Sequence, residues 1–190
     1  MSKTMIRPAL ILMLAAVASA CSPQARTVKT YEKDGIHFSH FSDWKVTQDE
    51  PLDGTPNSRS INIEGPNSAL VTVICLPPAT GTTVEQFATA VAEQRAKAIE
   101  EMLSVGSIKA GKADTGTSSS VRGKVAGQER EGILQHFNVR LLGQDVPHEA
   151  RFFGVDGTQY EAILMAQVSS QDATQTYPAF DLIFESFSMD

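Results

Sequence analysis

The sequence predicts an α+β fold: an α/β/α sandwich with a largely antiparallel sheet and two main helices. Three observations predict it. Asp34-Gly35 and Asp156-Gly157 are hairpin signals between alternating runs, and hairpins join antiparallel strands. The run Ala69 to Leu76 is apolar on both alternating faces apart from Thr72, so it needs cover on both sides. Two stretches, 84–104 and 180–187, repeat apolar residues at helical spacing and supply that cover. The 190 residues have a globular composition and suffice for one domain with its own core.

The chain begins with an address. Lys3 and Arg7 give a positive start, an apolar run spans Ala9 to Ala18, and Ser19, Ala20 and Cys21 follow. A basic start, a short apolar run and small residues before a cut make an export signal. The run is shorter than the roughly 20 residues a helix needs to cross a bilayer core. Residues 1–20 therefore read as a signal peptide, 21–30 as a polar tether and 31–190 as the globular domain. Neither Asp nor Glu lies in the signal. Removing Lys3 and Arg7 from the 16 basic residues leaves 14 against 22 acidic ones, a net charge of −8. Such a surface repels nucleic acid and anionic headgroups, so nucleic acid is excluded as a partner class.

Two cleavage readings stand. Ala18-Ser19-Ala20 fits ordinary signal cleavage. Ala18-Ser19-Ala20-Cys21 also resembles the lipobox of bacterial lipoproteins, with Ala18 where Leu is usual. That resemblance implies that Cys21 is the lipidation site: acylated on sulfur, then on its new amine with palmitate-type chains. It is favoured because the cysteine sits directly at the cut. Several acyl chains hold a membrane far better than one. Ser22 stands where an aspartate would mark inner-membrane retention, which favours the outer membrane. The other cysteine, Cys75, reads as a small buried hydrophobe; a Cys21–Cys75 disulfide is the exclusive alternative to acylation.

In the domain, Tyr31-Glu32-Lys33 and Ile36-His37-Phe38 flank the first hairpin; Trp44 with Val46 and Ile61 with Ile63 alternate next. Pro77-Pro78 ends the apolar strand. Thr82 or Thr83, with Glu85 or Gln86 three residues on, is a capping box opening a helix of about 20 residues. Val84, Phe87, Val91, Ala98, Met102 and Leu103 make its apolar face, and Gly106 suits its end. Residues 110–120 lack periodicity and read as a loop, the best candidate for a contact region. Ile133, Phe137, Val139 and Leu141, then Glu149 to Val155, then Tyr160 to Ala166, form an antiparallel meander. Phe180, Ile183, Phe184 and Phe187 face one side of a closing helix, with Pro178 expected in its first turn.

Gly35-Ile36-x-Phe38, Trp44-x-Val46 and the ending Phe180-x-x-Ile183-x-x-Ser186-Phe187 resemble the PsbP/DcrB-like family. Phe41 stands where that family commonly has proline. The resemblance implies an α/β/α sandwich, and accessory or assembly factors rather than enzymes.

Catalytic and metal motifs are missing. There is no H-E-x-x-H, no paired-cysteine site, no EF-hand loop, no G-x-S-x-G and no phosphate loop. His37 and His40, three apart, fall on opposite faces if the strand continues. A metal site from either with Asp34 or Asp43 is the only set that suggests itself, and solvated histidines are the simpler reading. No cofactor and no catalytic residue is expected. The expectation is a non-enzymatic, membrane-tethered envelope lipoprotein acting in binding or assembly. Its partners are the membrane, through the lipid, and an envelope protein. A small-ligand carrier with a pocket between helix 84–104 and the sheet, and a hydrolase with a dispersed site, are the alternatives.

Overall fold

The computed structural model describes residues 26–52, 55–104, 116–141 and 144–189. Cys21, Gly106 and residues 110–115 of the expected loop lie outside these. Among the described residues, ten strands and two long helices follow in the order β1 (Val28–Lys33), β2 (Ile36–Phe41), β3 (Lys45–Pro51), β4 (Arg59–Glu64), β5 (Leu70–Leu76), α1 (Val84–Ser104), β6 (Thr117–Val125), β7 (Gln128–Leu141), β8 (Gln144–Asp156), β9 (Glu161–Ser169), α2 (Ala173–Ser186) and β10 (Ser188–Met189). Strands β3-β4-β5-β9-β8-β7-β6 form one seven-stranded sheet, and β1-β2-β10 form a small second sheet. Every pairing in both is antiparallel, as the hairpin signals require. α1 lies on one face of the large sheet; α2 and the small sheet lie on the other. The fold is the expected α+β sandwich.

Cross-strand register shows how the two faces differ. One row runs Asp49, Ile61, Val73, Leu164, Phe153. Its central side chains join Ile36, Phe38, Trp44, Phe180, Ile183 and Phe187 in the main core beneath α2, and Val121, opposite Gly132, packs on the same core. The adjacent row runs Gln48, Asn62, Thr72, Met165, Phe152, Ile133, Ser120 on the opposite face. Its apolar half packs under α1 with Phe87, Ala88, Val91 and Phe137. Its other half is a hydrogen-bonded run: Thr72 Oγ1 donates to Asn62 Oδ1 (2.8 Å) and Asn62 Nδ2 to Gln48 Oε1 (2.7 Å). Among the described residues α1 packs chiefly on β7 and β8. Thr72 and Ile74, on the same face of β5, are both buried.

Local signals were met where chemistry is local. The Asp34-Gly35 turn joins paired Lys33 and Ile36 with φ of 50° and 74°, the left-handed pair of a type I′ hairpin. The capping box is Thr83 with Gln86: Gln86 N donates to Thr83 Oγ1 (3.2 Å) and Thr83 N to Gln86 Oε1 (3.0 Å). Trp44 is 2% exposed, edge-on to Phe180 at 5.7 Å. A Cβ on Gly65 would sit 2.3 Å from the Trp44 ring, so the backbone there passes against the indole. Ser186 fastens the closing helix: its hydroxyl donates to Leu182 O (2.6 Å) and accepts from Ser39 N of β2 (2.8 Å). Phe187 is 1% exposed beside it.

Several expectations need correction. Residues 117–120 are not loop but the start of β6, whose Thr-Ser-Ser-Ser opening has no apolar residue to reveal it. β1 begins at Val28, inside the stretch 21–30 read as tether. α2 begins at Ala173, so Pro178 lies in its second turn rather than its first, where the ring leaves the Thr174 carbonyl without its helical donor. Ala98, read as part of the apolar face of α1, is exposed.

Candidate functional site

The sheet has two ends, and they differ. At one end the chain enters. Ser42 N donates to Thr27 O (2.8 Å), and Arg26, Trp44, Pro66, Asn67 and Gln175 meet around a dimple. Arg26 stacks over Phe41 at 5.4 Å and pairs with Asp43 at 3.7 Å. At the other end lie the Asp34-Gly35 turn, the first turn of α1, the β6–β7 turn and the β8–β9 turn.

Two of the large described openings are at that second end, and another lies along β6 and β7, where Ser118 shares a cross-strand row with Gln135, Ala150, Gln167, Leu70, Glu64 and Lys45. One, of about 500 Å³, is lined by Thr82, Thr83, Val84, Glu85, Arg130, Glu131, Gly154, Asp156, Glu161 and Ile163. A second, of about 400 Å³, lies on the other side of Val84 and Glu85, bounded by Ser118, Ser119, Ser120, Glu131, Gly132 and Ile133. The two share Val84, Glu85 and Glu131, so they form one open groove wrapping the first turn of α1. Glycines let the helix sit there: a Cβ on Gly154 would meet Val84 at 2.9 Å. The groove carries four carboxylates, and among the described residues none of Glu85, Glu131, Asp156 and Glu161 is in an ion pair. Glu131 accepts the Ser120 hydroxyl (2.6 Å). Glu85, in the first helical turn, has its carboxyl lowered by its own backbone N–H and the Thr83 hydroxyl. Arg130 is the one cation in the lining; its Nε is buried without a hydrogen-bond partner.

A third opening, of about 330 Å³, lies between Lys33, Asp34, Asn57, Arg59 and Tyr160. Its floor is already satisfied. Asp49 accepts from Arg59 Nε (2.5 Å) and Nη2 (2.8 Å), Lys33 Nζ (2.6 Å) and the Tyr31 hydroxyl (2.7 Å). Arg59 also bonds Lys33 O (3.2 Å) and pairs with Asp34 (3.3 Å). The Arg59 hydrogen bonds hold the Asp49 carboxyl well below the usual range, against a smaller opposing effect of burial. Burial first, then the bond to Asp49, pushes Tyr31 up to about 12. This set joins β1 to β3 and β4 and is a fastening between the two sheets.

A second internal polar set lies under α2. Glu149, 7% exposed, accepts from the Tyr177 hydroxyl, and Arg151 stacks on the Tyr177 ring at 3.6 Å. Burial raises Tyr177 and Asp181 above their ordinary values. Glu149 lines none of the three openings. His136, its cross-strand partner on β7, is exposed. No described cleft brings a serine or histidine to this buried carboxylate.

The remaining residues singled out in the sequence take structural places. His37 and His40 are on opposite faces of β2; His40 is buried and its Nδ1 donates to Phe41 O (2.8 Å). His148 Nδ1 donates to Val146 O (2.9 Å) and its ring stacks on Phe137. Among the described residues no three His, Cys, Asp or Glu side chains are grouped to hold a metal ion. Cys75 is a free, buried thiol pushed up to about 11 by burial. Beneath α1, Arg95 stacks on Phe137 at 3.4 Å and bonds Gln135, which in turn donates to Ala88 O (3.0 Å). Sequence reading did not find this trio. The groove's walls come from five separate segments: the capping box marked one, the contact region expected at 110–120 overlaps a second at Ser118–Ser120, and the carboxylates of the others were not singled out.

Together these define a two-sided antiparallel α/β/α sandwich with an open acidic groove around the first turn of α1. No protein-family profile matches the chain, and no curated protein matches it. Solved structures are similar to it. The solution structure of cyanobacterial PsbP (CyanoP) from Synechocystis sp. PCC 6803 is 14% identical, with a TM-score of 0.48, over 91% of this chain and 99% of that one. LpqN, involved in cell envelope biogenesis of Mycobacterium tuberculosis, is 12% identical, with a TM-score of 0.34, over 90% of this chain and 87% of that one. Among the described residues no helix is long and apolar enough to cross a membrane.

Proposed function

We propose that the chain is a non-enzymatic envelope lipoprotein, held to a bacterial membrane by acylated Cys21 and facing the periplasm, that acts by binding in envelope assembly. One observation carries this reading: the end at which the chain enters the fold is opposite the end bearing the larger, 500 Å³ part of the groove. Cys21 is five residues from Arg26, a reach of at most about 18 Å. A lipid on Cys21 therefore keeps the Arg26, Phe41 and Gln175 end at the bilayer. The β8–β9 end of the groove then points away, across the six residues of β8 from Ala150, in the row of Lys45, to Asp156, about 20 Å. The anchor is the fat and not a basic patch, in keeping with the net charge of the mature chain. Ser22 favours the outer membrane.

Phe87, Ala88 and Val91 pack on Phe137, Phe152 and Met165 beneath α1, and the space left between that helix and the sheet is the groove at its first turn, whose carboxylates suit a polar partner better than an apolar cargo. The test is the mass of the amino-terminal peptide released from protein extracted from its own membranes. The reading expects Cys21 carrying a diacylglyceryl group and an amine-linked acyl chain. An unmodified Cys21, or one bonded to Cys75, overturns the tether.

A further inference from the structure

The outer edge of β6 borders the groove. Among the described residues β6 pairs with β7 alone, and no other strand lies beside it. Its two-residue turn, Ala126-Gly127 with φ of 51° and 71°, closes on the pair Val125 and Gln128. In such a hairpin the closing pair is hydrogen-bonded, and alternation then fixes the rest. Residues 117, 119, 121 and 123 spend their main-chain groups on β7. Ser118, Ser120, Arg122 and Lys124 turn theirs outward.

The two ends of this edge differ in guard. Arg122 and Lys124 are charged side chains of the kind that blunt a sheet edge, and Lys124 pairs with Glu185 at 3.6 Å. Ser118 and Ser120 carry no such guard. They are exposed, small and uncharged, and they form one wall of the 400 Å³ part of the groove. A strand laid along them would project alternate side chains over Ile133 and Val84 towards Glu85 and Glu131. Among the described residues neither carboxylate is in an ion pair, although Arg130 lines the same groove and Arg122 stands opposite Glu131, so a cationic side chain finds unpaired acceptors there. A second copy of this chain would bring its own unpaired carboxylates to the same place, and is disfavoured by charge.

We propose that the Ser118–Ser120 edge of β6 and the adjoining groove receive an extended segment of a partner polypeptide bearing lysine or arginine on alternate residues. The segment adds as a strand, main chain to main chain, and its cations reach Glu85 and Glu131. This rests on the reading of the chain as a binding protein but does not need the lipid.

The test uses the mature chain and two fluorescein-labelled nonapeptides. One alternates lysine with threonine and valine; the other has glutamate in place of each lysine. Anisotropy is expected to show saturable, salt-weakened binding of the lysine peptide and none of the glutamate peptide. E85Q/E131Q is expected to weaken the lysine peptide about tenfold, as for a pair of close charges removed. Ser120→Pro removes an outward N–H without touching the β7 ladder, and is expected to weaken it while the melting temperature holds. Equal binding of both peptides, or of neither, overturns the proposal. So does unchanged binding by Ser120→Pro, which would reduce the groove to an unspecific acidic surface. A concentration-dependent dimer that Ser120→Pro abolishes would assign the edge to a second copy, and also overturns it. Peptide failure in a protein whose Cys21 is acylated leaves the tether standing.

Discussion

The two faces of the large sheet are covered in opposite ways. Under α2 and the small sheet, aromatic rings interlock: Trp44 on Phe180, Phe153 edge-on to Phe184 at 5.5 Å, Tyr31 stacked on Phe38 at 4.7 Å. Polar groups on that face are tied off by Asp49 with Arg59 and by Glu149 with Tyr177. Under α1 a single helix lies on a much smaller apolar cluster, and its first turn stands between two openings. The difference teaches a division of labour. The α2 face holds the fold, and the α1 face leaves surface for something else to cover.

Truncations break the comparison if it is wrong. Phe180→Ala removes a ring that is 1% exposed and the edge contact with Trp44. It is expected to cost about 4 kcal/mol in denaturant unfolding, in the range for a buried phenylalanine. Phe87, only half-buried on the other face, is expected to cost about 2 kcal/mol when cut to alanine. Equal costs would mean that both faces carry the stability alike.

Acid sharpens the same contrast. In the unfolded chain Asp49 titrates at an ordinary value of about 4. In the fold, Arg59 holds it far lower. A depressed carboxylate contributes stability that is fully present above about pH 5 and is lost as pH falls through 4 towards the folded value. Asp49→Asn is expected to cost about 2 kcal/mol at neutral pH, the worth of hydrogen bonds to a charged group. It should also flatten unfolding free energy between pH 2 and 5, by about the share this carboxylate gives the wild type. A parallel pH curve would assign the acid sensitivity elsewhere.

The smallest effect is at the groove. Thr83→Ala loses one half of the capping box and is expected to cost about 1 kcal/mol. Unfolding curves would show it as a small shift of the midpoint with an unchanged slope.

Much of the fold was legible because its determinants are local. Asp34-Gly35 can hardly be anything but a tight turn, and Thr83 with Gln86 opens a helix by its own hydrogen bonds. The apolar alternation of β4, β5 and β7 and the aromatic spacing of α2 carried the rest. β6 was illegible because an exposed edge strand needs no apolar face, and Thr117 to Ser120 have none. The early start of α2 was hidden because Pro178 reads as a first-turn residue, while Thr176 and Ala173 are buried by tertiary packing. The groove was hidden for another reason. Glu85, Glu131, Asp156 and Glu161 are each ordinary residues on a polar face, and only the register of β7, β8 and β9 gathers them around α1.

The central claim is that the lipid and the larger part of the groove, at the β6–β7 and β8–β9 turns, occupy opposite ends of one globule. Two single-cysteine labels test it on the acylated protein in vesicles, since the thiol of Cys75 is buried and unreactive. Gln175→Cys lies beside Arg26, and Gln128→Cys lies at the β6–β7 turn; both residues are exposed. With a headgroup quencher in the bilayer, the account predicts strong quenching of the label at 175 and almost none at 128. Equal quenching at both sites, or stronger quenching at 128, would contradict it.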